Sequence, residues 1–179
     1  MFLSSTDISV VILWWLSLRN IARTERLEQY FLDKAKTVKR LYYAHRAAEH
    51  ESMDIRHEAD ELYKILSSYR EADKIVIVAK SAGCIVALSA LEHYPALYGL
   101  NMRYVFMWFP LGMSSSHASF ADRFPTLQWY LLQNEFDPVG TYEDVRDAFE
   151  GSLFETVCLP WSTHHYEAED LDKLNLKMF

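Results

Sequence analysis

Residues 74–79 (KIVIVA) pass without a linker into Lys80-Ser81-Ala82-Gly83, and from there into a stretch carrying Ile85, Val86, Leu88 and Leu91. A short, unbroken run rich in β-branched residues suits a strand covered on both faces, the kind found in parallel sheets. The apolar stretch beyond it predicts a helix that ends near His93-Tyr94-Pro95, because proline cannot continue one. A buried strand that turns straight into a helix leaves few architectures open, since both faces of its sheet must be covered by crossover connections.

The rest of the chain repeats that alternation. Residues 8–16 (ISVVILWWL) and 38–44 (VKRLYYA) predict two further strands, separated by Ile21, Leu27, Tyr30, Phe31 and Ala35 at roughly helical spacing. From Asp54 to about Arg70, Ile55, Ala59, Leu62, Tyr63, Ile65, Leu66 and Tyr69 mark one apolar helix face, with acids and a lysine opposite. Strands are expected at 104–109, 128–132 and 153–159, helices at 142–149 and from about 167 to 177. The expectation is one α/β domain over residues 1–179, a three-layer sandwich around a mostly parallel sheet of about six strands.

Composition narrows the function classes. The chain has 179 residues and a net charge of −7, with its 18 lysines and arginines scattered among 25 acids. Nucleic-acid binding requires clustered cations, so no nucleic-acid partner is expected. Seven histidines are present, yet only His164 and His165 are near neighbours, and no metal-ligand spacing occurs, so neither metal nor other cofactor is expected. Cys84 and Cys158 both lie in apolar runs and read as buried packing thiols of a reducing compartment. The longest apolar run is about half of a membrane span, and Asp7 rather than a basic segment precedes it. A cytoplasmic protein with no membrane partner is expected.

Ligands of open parallel sheets meet the loops at the carboxyl ends of the strands. Ser81 follows the strand 74–79, Asp137 follows 128–132, and His164 and His165 follow 153–159. Ser81 stands in Ala79-Lys80-Ser81-Ala82-Gly83, at a helix N-terminus whose free N–H groups favour negative charge. The alternative reading of a serine here is a helix cap, a very common role. Asp137 stands in Glu135-Phe136-Asp137-Pro138-Val139, where the proline restricts it to an extended backbone. Taken alone, it is as readily a turn residue. Glu135 is the rival acid, while Asp144 and Asp147 read as the solvated face of the next helix.

These segments resemble the α/β-hydrolase family, whose pattern around the nucleophile is Gly-x-Ser-x-Gly and whose triad follows in the order Ser, Asp, His. Ala79 stands where the first glycine would be, and Gly83 retains the second. Glu135-Phe136-Asp137-Pro138-Val139 is similar to the family's acid loop, and His164-His165-Tyr166 to its histidine loop. The resemblance implies a small, lidless serine hydrolase acting on an acyl ester, thioester or amide. Ser81 would be the nucleophile, Asp137 the orienting acid and His164 the base, with His165 the alternative base. Ala82 and Leu16 would donate backbone N–H groups to the oxyanion.

Trp14-Trp15-Leu16 departs from the glycine-rich turn common there, which keeps a non-catalytic binding module on the same fold as the second reading. About 18 residues separate the strands expected at 104–109 and 128–132, too few for a lid domain. An open site is expected, shaped by Trp14, Trp15, Met113, His117, Phe120 and Trp161. The partner is then a small acyl compound.

Overall fold

The structure is a computed structural model that describes residues 7–16, 21–32, 34–44, 54–113, 123–124, 126–151, 153–162 and 168–173. Six strands form one sheet: β1 (Ile8–Leu16), β2 (Thr37–Ala44), β3 (Lys74–Lys80), β4 (Asn101–Met107), β5 (Trp129–Asn134) and β6 (Leu153–Leu159). Their order is β2-β1-β3-β4-β5-β6, and every neighbouring pair is parallel. Between them lie α1 (Ile21–Leu32), α2 (Ile55–Leu66), α3 (Ala82–His93) and α4 (Tyr142–Ala148).

The two-residue period of a strand sorts the core into two halves. Val11, Leu13, Ile75, Ile77 and Ala79 pack on one face with Leu62 and Leu66 of α2 and the apolar residues of α3. Ile8, Val10, Ile12, Val76 and Val78 pack on the other with Leu27 and Phe31 of α1 and Leu171. All ten strand residues are buried, which is why these strands read as continuous apolar runs rather than alternating ones. The fold is a three-layer α/β sandwich with an all-parallel sheet.

α2 starts where Asp54 caps it, its side chain accepting the His57 N–H at 3.0 Å. It stops at Leu66, earlier than the pattern predicts, because residues 67–69 form turns. α3 buries residues all round its circumference, as expected of a helix wedged between a sheet and another helix.

Other boundaries differ from the sequence expectation as well. β4 runs from Asn101 to Met107 instead of 104–109, since Trp108 takes a φ of 52° that no strand accommodates. β5 runs to Asn134, two residues further than expected, and carries the polar Gln133 and Asn134 into the sheet fully buried. The helix expected at 167–177 is a 3-10 turn over Ala168–Lys173 in its described part. No helix among the described residues is long and apolar enough to cross a membrane.

Candidate active site

β3 becomes α3 across a single residue. Lys80 closes the strand, Ala82 opens the helix, and Ser81 between them has φ 51° and ψ −125°. That conformation is costly for a residue with a Cβ, about 1–3 kcal/mol, and persists only where the surroundings over-determine it. They do here. The Ser81 N–H donates to the Met107 carbonyl at 3.0 Å, and the Ser81 carbonyl accepts the Cys84 N–H at 2.9 Å.

Gly83 has a steric reason to be glycine. A Cβ there would lie 2.7 Å from the Leu13 carbonyl oxygen and 3.1 Å from its carbon, both backbone atoms that cannot swing aside. Glycine therefore lets α3 press directly on β1, which holds the turn at its sharp angle. Ala79, in register with Leu13 and Phe106, is fully buried beneath the turn. The Ser81 side chain makes no capping bond to α3. A helix cap needs a β-region backbone and that bond, so the capping reading of Ser81 fails on both counts.

Cys84, one turn into α3, is buried, and its thiol donates to the Ala79 carbonyl at 3.3 Å and lies 3.7 Å from the Met107 carbonyl. Burial pushes this thiol far above the usual cysteine range, so it carries no thiolate chemistry. Cys158 corrects the sequence expectation: it is exposed, on the edge strand β6.

Asp137 lies past β5 and is 2% exposed, an unusual place for a carboxylate with only a turn to make. Its Oδ1 accepts the Val139 N–H at 2.9 Å, and its backbone N–H and carbonyl bond Asn134 and Gly140 at 3.4 and 3.2 Å. The turn role is real, and burial is added to it. Glu135, the rival acid, is exposed in the turn, its N–H donating to the Leu159 carbonyl at 2.7 Å. Asp144 and Asp147 lie on the exposed side of α4 as expected. Leu111, Gly112, Asp137, Pro138, Val139, Gly140, Thr141 and Asp144 line an open cavity of about 300 Å³ beside the acid loop.

The structure thus brings Ser81 and Asp137 to the same carboxyl edge of the sheet, one strand apart, since β4 lies between β3 and β5. Ala82 is the first residue of α3, where the backbone N–H has no intrahelical acceptor. Leu16 is the last residue of β1 and pairs with Ala44 of β2. His164, His165 and Tyr166 lie outside the described residues, as do His117 and Phe120; Trp161, just before the histidine loop, is 54% exposed. Among the described residues no group of three histidine, cysteine or acidic side chains could hold a metal ion.

Two residues of this edge escape the sequence reading. Trp108, the continuation of β4 beside Ser81, is a second residue with positive φ, and its side chain is fully buried. Gln133 is a fully buried amide whose Oε1 accepts the Phe109 N–H at 2.7 Å. A polar residue closing the apolar run WYLLQ is the signal that could have marked it.

No protein-family model matches the sequence, and no curated protein matches it either. Solved structures do match. An α/β-hydrolase-type protein of unknown function from Agrobacterium tumefaciens is 14% identical over 99% of this chain and 88% of that one, with a TM-score of 0.64. The esterase domain of a Rhodothermus marinus protein is 10% identical over 95% and 84%, with a TM-score of 0.62. RedJ, a thioesterase of prodiginine biosynthesis in Streptomyces coelicolor, is 13% identical over 93% and 87%, with a TM-score of 0.60.

Proposed function

We propose, from the α/β-hydrolase fold that this chain adopts, that it is a serine hydrolase cleaving a small acyl ester, thioester or amide through an acyl-enzyme on Ser81. The strained turn at Ser81 carries the reading. A backbone cost of about 1–3 kcal/mol at a residue that does not cap its helix is characteristic of functional sites. The esterase and thioesterase activities named for two similar structures support the substrate class.

In this reading His164 takes the Ser81 proton as Oγ attacks the acyl carbonyl, forming the C–O bond and an oxyanion. The N–H groups of Ala82 and Leu16 receive that oxyanion, the first reinforced by the N-terminal dipole of α3. The tetrahedral adduct collapses, the bond to the leaving group breaks, and the imidazolium returns the proton to that group. Water then repeats the sequence on the acyl-enzyme and releases the acid. Asp137 orients the imidazole and stabilises its protonated form, a role suited to a carboxylate fixed by its own turn.

A binding module on the same fold is the second reading. The observation in its favour is that Leu16 is still a strand residue paired with Ala44, where a second oxyanion donor is required. Loss of one donor costs about 2.7–4 kcal/mol of transition-state stabilisation.

Intact-mass analysis after exposure to a fluorophosphonate tests the proposal. One adduct is expected on the wild type and none on Ser81→Ala. Asp137→Asn is expected to label up to about 10⁴-fold more slowly. Of His164→Ala and His165→Ala, only one should be strongly slowed, and His164 is the expected base. A folded wild-type protein that takes no adduct overturns the hydrolase reading in favour of the binding module.

A further inference from the structure

We propose that Gln133 is a positioning residue that couples the loop carrying Asp137 to the elbow carrying Ser81. The proposal rests on the serine-hydrolase reading of those two residues and goes beyond it. In the sheet register Lys80 pairs with Met107 and Met107 with Leu132. Ser81, Trp108 and Gln133 are the residues that directly follow this row.

The Gln133 side chain is fully buried and bonds in two directions. Toward β4, its Oε1 accepts the Phe109 N–H at 2.7 Å, and its Nε2 lies 3.5 Å from the Phe109 carbonyl. Toward the acid loop, Nε2 donates to the Gly140 carbonyl at 2.6 Å. Gly140 in turn donates its N–H to the Asp137 carbonyl at 3.2 Å. The loop sits close against the chain beyond β4, since a Cβ on Gly140 would meet the Phe109 carbonyl oxygen at 3.0 Å. The Gly112 N–H reaches the Val139 carbonyl at 3.2 Å across the same seam.

The same amide bond brackets the strained residue next to the elbow. Trp108 donates its own N–H to the Leu132 carbonyl at 3.0 Å, and the following N–H, that of Phe109, goes to Gln133. With both flanking donors fixed, the φ of 52° at Trp108 is held in place. Trp108 follows Met107, whose carbonyl accepts the Ser81 N–H. Hydrogen bonds thus lead from Asp137 through Gly140 and Gln133 to Phe109, the backbone leads from there through Trp108 to Met107, and a last hydrogen bond reaches Ser81.

Few side chains can replace this one. Asparagine is one methylene shorter, an ionised glutamate cannot donate to Gly140, and methionine leaves both the Phe109 N–H and the Gly140 carbonyl without their bond. Contiguity alone does not demonstrate coupling, so the test is a double-mutant cycle. Fluorophosphonate labelling of Ser81 is followed against probe concentration in wild type, Gln133→Met, Gln133→Glu and Asp137→Asn. Both Gln133 substitutions are repeated on Asp137→Asn, and melting temperatures are recorded alongside. Gln133→Glu keeps the acceptor for Phe109 and so remains informative if Gln133→Met fails to fold.

The expected result is labelling slowed by about tenfold or more at saturating probe, with half-saturation unchanged, because positioning errors act on the reacting geometry. On Asp137→Asn neither substitution slows labelling further. A folded Gln133 variant that labels at the wild-type rate overturns the coupling alone. So does one that slows Asp137→Asn by the same factor as wild type, since that marks a merely structural role. An unlabelled, folded wild type overturns the nucleophile assignment and the coupling with it.

Discussion

The elbow at the end of β3 and the acid loop at the end of β5 meet the same requirement by opposite means. At the elbow, geometry is set by what is absent: Gly83 has no Cβ to meet the Leu13 backbone at 2.7 Å, and Ala79 is small and fully buried below. At the acid loop, geometry is set by what is present, a buried amide reaching 24 residues back to Phe109 and 7 forward to Gly140. Both devices reach distant parts of the chain, Gly83 to Leu13 and Gln133 to Phe109, but exclusion works by leaving space and bridging by filling it with bonds. The first can therefore be tested by adding atoms and the second only by removing bonds.

The largest effect is expected from filling the space at the elbow. Gly83→Ala should cost about 1–3 kcal/mol, the usual range for overpacking, because the clash is with backbone atoms. A thermal melt should show it, at roughly 2–4 °C per kcal/mol for a chain of this size. Labelling at Ser81 should be lost in the same variant, since α3 must move off β1. Gly99→Ala is the contrast: its added Cβ would meet only the Glu71 carboxylate, at 3.8 Å. That change should stay within about 0.5 kcal/mol. Equal melting temperatures for the two variants would break the exclusion argument.

This difference also explains what could be read from the chain. The elbow was legible because small residues, Ala79 and Gly83, flank Ser81 within five positions directly after a strand that reads as buried, although what Gly83 clears is Leu13 on another strand. The inner strands were legible because both faces are covered, which leaves apolar runs such as residues 8–16 and 74–79. Gln133 was not, since a glutamine at a strand end looks like the start of a loop, and only its non-local partners at Phe109 and Gly140 draw it into the sheet. Trp108 escaped for the same reason: its backbone strain depends on Leu132 and Gln133, not on its neighbours in sequence. Cys158 misled because its apolar run lies on an edge strand, where an apolar sequence does not guarantee burial.

A smaller effect, of opposite sign, should come from relieving the strain at the elbow. Glycine adopts positive φ without the Cβ penalty, whereas alanine keeps it. Ser81→Gly removes a strain of about 1–3 kcal/mol and gives back part of it through the freer unfolded chain, up to about 1 kcal/mol. It should therefore be about 1 kcal/mol more stable than Ser81→Ala, though neither can take an adduct. If the two unfold at the same denaturant concentration, the turn at Ser81 is not strained, and the main support for a nucleophile there is gone.

The smallest effect needs no change in stability to be seen, because each region has a cysteine as its reporter. Cys84 sits under the elbow with its thiol on the Ala79 carbonyl, and Cys158 is the register partner of Gln133. Burial raises the Cys84 thiol far out of reach of alkylation, so native protein should take up one equivalent of iodoacetamide, at Cys158. The Cys158 thiol is raised more modestly, by partial burial and then by Glu135 and Glu143. A raised thiol holds its proton to higher pH, so this alkylation should be slow near pH 8 and accelerate as pH rises. Peptide mapping then separates the two regions. Gly83→Ala should open Cys84 to alkylation and leave Cys158 unchanged, while Gln133→Met should alter the rate at Cys158 and leave Cys84 protected. If either substitution moves both thiols together, elbow and acid loop are one cooperative unit, and the distinction between exclusion and bridging describes their parts but not their behaviour.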